Sequence, residues 1–153
     1  PGEVGLAPTH MGEVRRIDLA ADDAWLCAGG SFLGAEGTVG LDTRFQGFKG
    51  LLGGESPSYL RAAGPGALLV SALGMTSEIE VDGELVVDTG HVVAFTEGLS
   101  WSIDRVGGGW IATWLSGEGL VTRFKGTGRI VLQSHNTTRF GRLLGPLLPE
   151  REA

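Results

Sequence analysis

The chain has one cysteine, three histidines and no long apolar run, and each shortage closes a class of explanation. With Cys27 alone in 153 residues, no internal disulfide can form, so a packed core has to supply the stability. The longest apolar stretch, Ala67 to Leu73, is broken by Ser71 and falls far short of the ~20 apolar residues a membrane-crossing helix needs. His10, His91 and His135 are scattered, with no His-x-His pair and no adjacent cysteine. A metal centre on a β barrel wants two histidines and a carboxylate on one open site, so no metal or other cofactor is expected. No charged-then-apolar leader opens the sequence, and with the lone cysteine this predicts a reducing, cytoplasmic setting. The net charge of −6 opposes the field that nucleic acid or anionic lipid would need.

Glycine is what the chain has in excess: 27 residues, well over twice the usual share of about 7%. Glycine concentrates at turns, so many short strands are implied. The segment "GPGALLVSALG" from Gly64 lies over "GTGRIVLQSHN" from Gly126 at a constant shift of 62, with Leu68 on Ile130, Leu69 on Val131 and Val70 on Leu132. "YLRAAG" from Tyr59 continues the match over "VTRFKG" from Val121, bringing Arg61 onto Arg123. Upstream, "GGSFLGAEGTVGLDTRF" from Gly29 parallels "TGHVVAFTEGLSWSIDRV" from Thr89 after small shifts. The N-terminus joins the pattern, since Met11, Ile17 and Leu19 fall on Leu73, Ile79 and Val81. A single all-β domain with an internal duplication is therefore expected, divided as half-repeat 1–26, repeat 27–86, repeat 87–138 and tail 139–153. The chain reads as opening midway through a repeat, which predicts a preceding half-repeat that is missing here or supplied by another chain.

Alternation in "EIEVDGELVVDTGHVVAF" sets Ile79 and Val81 against Glu78 and Glu80, and Asp82-Gly83 between apolar runs predicts a hairpin turn. Leu99, Trp101 and Ile103 alternate likewise before a triple-glycine turn, and "FKGTGR" reads as another turn. Strands at this spacing suggest a sandwich or barrel. Helical spacing occurs only in the tail, through Phe140, Leu143, Leu144, Leu147 and Leu148, interrupted by Gly145 and Pro146. A short helix or turn covering an open barrel end, or docking on a partner or membrane, is expected there.

No catalytic constellation emerges. Glu55 and Glu118 occupy matching places, but each sits in a glycine-rich turn where a carboxylate accepts backbone N–H bonds. No "GxSxG" elbow and no Walker spacing is present, and Cys27 lacks a neighbouring base to make thiolate. Two surfaces stand out instead. Arg61, Arg123, Lys125 and Arg129, with Phe124 among them, form a candidate ligand or nucleic-acid surface, although the second repeat alone has the extra charges, so nucleic acid is not the expected partner. Phe48, Leu51 and Leu52 in one loop match Trp110, Ile111, Trp114 and Leu115 in the other. Such residues either pack on their own barrel, form a subunit interface, or meet a membrane or small ligand. Phe48, Leu51, Leu52, Trp110 and Trp114 are the candidate interface.

The strings "GEVGLAP", "LDTRFQG", "LLGGE", "VVDTGHVVAF", "SGEGLVTRFKGTGRIVLQSHN" and "LLGPLLP" resemble the mitochondrial-biogenesis family named for altered inheritance of mitochondria, number twenty-four. The resemblance covers essentially the whole chain and is most specific at Val87 to Phe95 and Gly117 to Gln133. It implies a double-stranded β-helix related to the tryptophan RNA-binding attenuation protein, a homo-oligomer with a trimer favoured, members longer at the N-terminus, and no enzyme activity. The expected role is a non-enzymatic oligomeric scaffold working through protein contacts, the alternative being a binding module for a small ligand or single-stranded nucleic acid.

Overall fold

The computed structural model describes residues 2–42, 59–105 and 120–149. Ten strands run in chain order: β1 Val14–Leu19, β2 Ala24–Ala28, β3 Phe32–Ala35, β4 Gly40–Asp42, β5 Tyr59–Ala63, β6 Gly66–Ser71, β7 Thr76–Asp88, β8 Val92–Thr96, β9 Ser100–Arg105 and β10 Leu120–Gln133. One short helix, α1, follows at Thr137–Leu144, capped by the Asn136 side chain, which accepts from the amides of Thr138 and Arg139. The fold is mostly β, its antiparallel sheets curled into a half-barrel.

Three strands form a small sheet in the order β1-β6-β3. Seven form the larger sheet, β4-β5-β2-β8-β10-β7, with β9 also on β10. The two long strands pair over their whole length, from Val121↔Asp88 to Gln133↔Thr76.

Pairing registers of the first half recur in the second. Adding 62 to both numbers turns Val14↔Ser71 of β1 and β6 into Thr76↔Gln133 of β7 and β10, and Leu19↔Gly66 into Val81↔Gly128. Past the first turn the offset of the leading strands drops to 60. Ala28↔Tyr59 then becomes Asp88↔Val121, and Leu41↔Ala62 becomes Trp101↔Phe124. The bulge between Phe32 and Gly34, where β3 meets β6, reappears between Val92 and Ala94, where β8 meets β10.

Two expected turns are not turns. Asp82-Gly83 lies inside β7 and Gly126-Thr127-Gly128 inside β10, and Gly83 pairs directly with Gly126. Both glycines have positive φ, 113° and 114°, so the ribbon bends there without breaking its ladder. Gly128 and its counterpart Gly66 serve a different need. A Cβ at Gly128 would strike Thr96 Oγ1 and Leu99, and one at Gly66 would meet Thr38 and Val39. The turn after β8, or after β3, thus lies directly on a bare backbone.

The core has two clusters. One gathers Trp25, Leu68, Val70 and Val131; the other gathers Leu26, Phe95, Phe124 and Ile130. Strand β8 serves both, with Val93 and Ala94 in the first and Val92 and Phe95 in the second. It is also the seam of the molecule, because it pairs with β10 on one side and with β2 on the other, Trp25↔Thr96, Leu26↔Phe95 and Cys27↔Ala94. The tail helix buries no residue, and Leu143, Leu147 and Leu148 stay exposed, so it does not cap the barrel as a packed lid. No helix among the described residues is long and apolar enough to cross a membrane.

Candidate functional site

Alternation along β5 and β10 decides the fate of the basic grouping. Phe124 points inward and is fully buried, in edge contact with Phe95 at a ring separation of 4.9 Å. Its ring is therefore not offered to a nucleic-acid base. The flanking cations point outward and each meets a carboxylate. Arg61 donates from Nε and Nη2 to the two Glu97 oxygens at 2.6 and 2.8 Å, which holds the Glu97 carboxyl below its usual pKa. Arg123 pairs with Glu84 and, at 3.1 Å, with Asp104. Its hydrogen bond also lowers the Glu84 pKa. Lys125 Nζ lies 3.5 Å from Glu84. Arg129 reaches Glu78 at 3.3 Å and covers the Trp25 ring at 5.1 Å from its centroid. With Arg15 also on Glu78 at 2.6 Å, these cations are each paired with Glu78, Glu84, Glu97 or Asp104, an arrangement that ties strands together rather than attracting phosphate.

The candidate interface residues Phe48, Leu51, Leu52, Trp110 and Trp114 lie outside the described residues, as do Glu55 and Glu118. His91 donates from Nδ1 to the Gln133 carbonyl at 2.8 Å. His135 shares a hydrogen bond with Ser134 instead. Among the described residues no three of His, Cys, Asp and Glu gather closely enough to hold a metal. Cys27 is fully buried, and burial pushes its thiol up to about 12, so it is not poised as a nucleophile.

A half-open cavity of ≈410 Å³ lies where β2 ends and β8 begins, lined in part by His10, Ser31, Tyr59, Thr89, Gln133 and Thr137. Its polar groups are mostly engaged with the fold. Ser31 Oγ reaches the Ala28 and Val93 carbonyls, both at 2.8 Å. Gln133 accepts from the Leu73 amide and donates to the Gly90 carbonyl. Thr89 and Thr122 share a hydrogen bond of 2.9 Å, and Thr122 also bonds Tyr59, whose phenol burial lifts to about 12. The wall is hydroxyl-rich, with one histidine, His10, among its lining residues.

The remaining features are the ends of the two sheet orders, which sequence reading did not single out. Strands β1 and β3 end the small sheet, β4 and β7 end the larger one, and β9 pairs only with β10, so among the described residues none of the five has a second strand neighbour. Of these, β3 and β7 are apolar. β3 reads FLGA with every residue half-buried, and β7 carries Leu85, Val86 and Val87, with Val86 44% exposed. The signal available in the sequence was these two apolar strings, but nothing in them marks which neighbour is absent. Such edges invite a further strand unless something blunts them.

Known proteins locate this arrangement. A Streptococcus pyogenes protein of uncharacterised role is 30% identical over 151 residues, a match spanning 97% of this chain and 60% of that protein. An X-ray crystal structure of a Streptococcus pyogenes protein superposes with a TM-score of 0.81 at 28% identity, covering 93% of this chain and 63% of that one. The chain thus spans less than two thirds of the relatives it matches. The family model described as Mitochondrial biogenesis AIM24 matches residues 1–135, and the chain belongs to that family.

Proposed function

We propose that the chain is a non-enzymatic, homo-oligomeric β scaffold of the cell interior, built by duplication of one strand unit into a double-stranded β-helix and acting through protein contacts. The observation that carries this reading is the recurrence of pairing registers, bulge included, at offsets of 62 and 60. On this reading the units run 14–71 and 76–133, a different phase from a division at 27 and 87. A unit copied in this way copies its edges too, and an edge that meets its partner in one copy is left over in the other. Scaffolds assemble through such leftovers. Light scattering tests the reading: a particle of several chains is expected, and a strict monomer at micromolar concentration would overturn it.

The cavity favours a second reading, a binding module for a small neutral ligand. Its size falls within the range of ligand sites, and its wall offers hydroxyl and amide groups. Native mass spectrometry of the purified protein checks this reading. Adduct-free spectra, with no thermal shift across a panel of neutral polyols and sugars, would remove it.

A further inference from the structure

The turn after β2 and the turn after β7 stand at matching places, since Ala28↔Tyr59 corresponds to Asp88↔Val121, yet they are finished differently. In the second, the Asp88 carboxylate accepts from the Gly90 amide at 2.9 Å and from the Asn136 carboxamide at 3.1 Å. That carboxamide lies where a Cβ of Gly90 would point, so two side chains close the turn. In the first, Ala28 stands in place of Asp88 and Gly74 in place of Asn136. Ser31 donates its amide to the Ala28 carbonyl, but neither side-chain group is supplied, and a Cβ at Gly30 would meet nothing within 4 Å. Ala28, Gly29 and Gly30 form instead part of the wall of the ≈410 Å³ cavity. The Gly30 amide, counterpart of the Gly90 amide, thus has no carboxylate in its own turn to receive it. Glycine at both 29 and 30 lets the peptide between them face either way, and Gly30 takes φ 83°.

We propose that the cavity holds a carboxamide group, which brings to the Ala28–Ser31 turn the oxygen and N–H groups that Asp88 and Asn136 bring to the matching turn. Its oxygen takes the Gly30 amide, and its N–H groups go to hydroxyl acceptors of the same wall, Thr89 and Thr137 among them. The precedent lies within the chain, because Asn136 is a carboxamide already seated against the matching turn. A free carboxylate also offers an oxygen, but no Lys or Arg lines the cavity, and a charge buried without a partner is costly. An amide supplies acceptor and donors in one neutral, planar group. The group can hang from a small amide or from an asparagine or glutamine of a peptide, and the experiment separates these sources. This inference rests on the binding-module reading and names the chemistry of its ligand.

The experiment titrates the full chain, carrying isotope-labelled glycine, with propionamide, propionate and propanol, and follows amide resonances by NMR. Propionamide should move the Gly29 and Gly30 signals and bind at least about tenfold tighter than the acid or the alcohol. Ala28→Asp gives the first turn the carboxylate of the second and should weaken propionamide at least about tenfold. Should that variant fail to fold, the glycine shifts of the unaltered chain decide. Acetyl-asparagine methylamide held more tightly than propionamide assigns the group to a peptide, and the reverse order assigns it to a small amide. Equal binding of the three compounds, or propionamide binding that leaves Gly29 and Gly30 unmoved, would overturn the carboxamide. If a polyol or sugar moves those glycines while both amides do not, the carboxamide falls and the binding module stands. If no compound moves them and native mass spectra are free of adducts, both fall.

Discussion

Strands β1 and β2 are parted by a turn in which Asp23 donates its amide to the Ala20 carbonyl, and β5 gives way to β6 at Gly64-Pro65, whereas the corresponding stretches of the second half run through as β7 and β10. The drop in offset from 62 to 60 marks two extra residues in the first half at that turn. Pro65 stands where β10 has Thr127, and proline has no N–H to give a ladder. The second half solves the same bend with the facing pair Gly83 and Gly126. A break and a bend are thus interchangeable solutions, and the registers on either side survive both.

The halves also divide their bulk differently. Phe95 and Phe124 stand where the first half has Ala35 and Ala62, while Trp25 stands where the second has Leu85. Large side chains therefore come from opposite halves and fill the two separate clusters that β8 serves. Phe124→Ala makes the second half imitate the first and is the largest perturbation on offer. Its cost should be about 3–5 kcal/mol, read as a fall in the urea midpoint. Loss below about 1 kcal/mol would mean that the aromatic cluster is not the asymmetric core described.

Gly126→Ala attacks the bend. A side chain at φ 114° costs on the order of 1–3 kcal/mol, and thermal melts should rank it between the core change and any surface change. Arg61→Ala and Arg123→Ala remove the surface pairs of two matching arginines, and each should shift stability by less than about 1 kcal/mol, with the difference from wild type shrinking further in high salt. The smallest effect is the pH dependence of Glu97. Its hydrogen bond with Arg61 lowers the folded pKa below the ~4.3 of a free glutamate. The contribution is therefore present above about pH 4.3 and fades as pH falls through the lower folded value. Urea midpoints measured from pH 6 to 3 should fall more steeply for wild type than for Glu97→Gln.

The sequence disclosed the all-β class, and the 62-residue match it suggests sets Leu68 over Ile130 and Val70 over Leu132, positions in or against the core, which leave an apolar trace. It misdirected at Asp82-Gly83, since a positive-φ glycine serves equally for a hairpin and for a bend, and only the facing Gly126, 43 residues away, distinguishes them. The basic grouping was legible as a pattern but not as a site. The alternation that turns Arg123 and Lys125 outward turns Phe124 inward, and the carboxylates that neutralise the cations arrive from β7, β9 and the turn at Glu97. The bare edges were illegible for a plainer reason: a residue string records what a strand is, not what fails to lie beside it.

The closure of β2 by β8 also has a timetable. Trp25 and its partner Thr96 are 71 positions apart, and a ribosome adding 5–20 residues each second needs roughly 4–14 s to deliver one after the other. For that interval the nascent first half holds its tryptophan, Trp25, on a strand that can pair with β5 but whose β8 side is unmated. A chaperone that shields extended apolar segments would find its substrate in those seconds, and slowing translation between the two halves should raise the yield of insoluble chain.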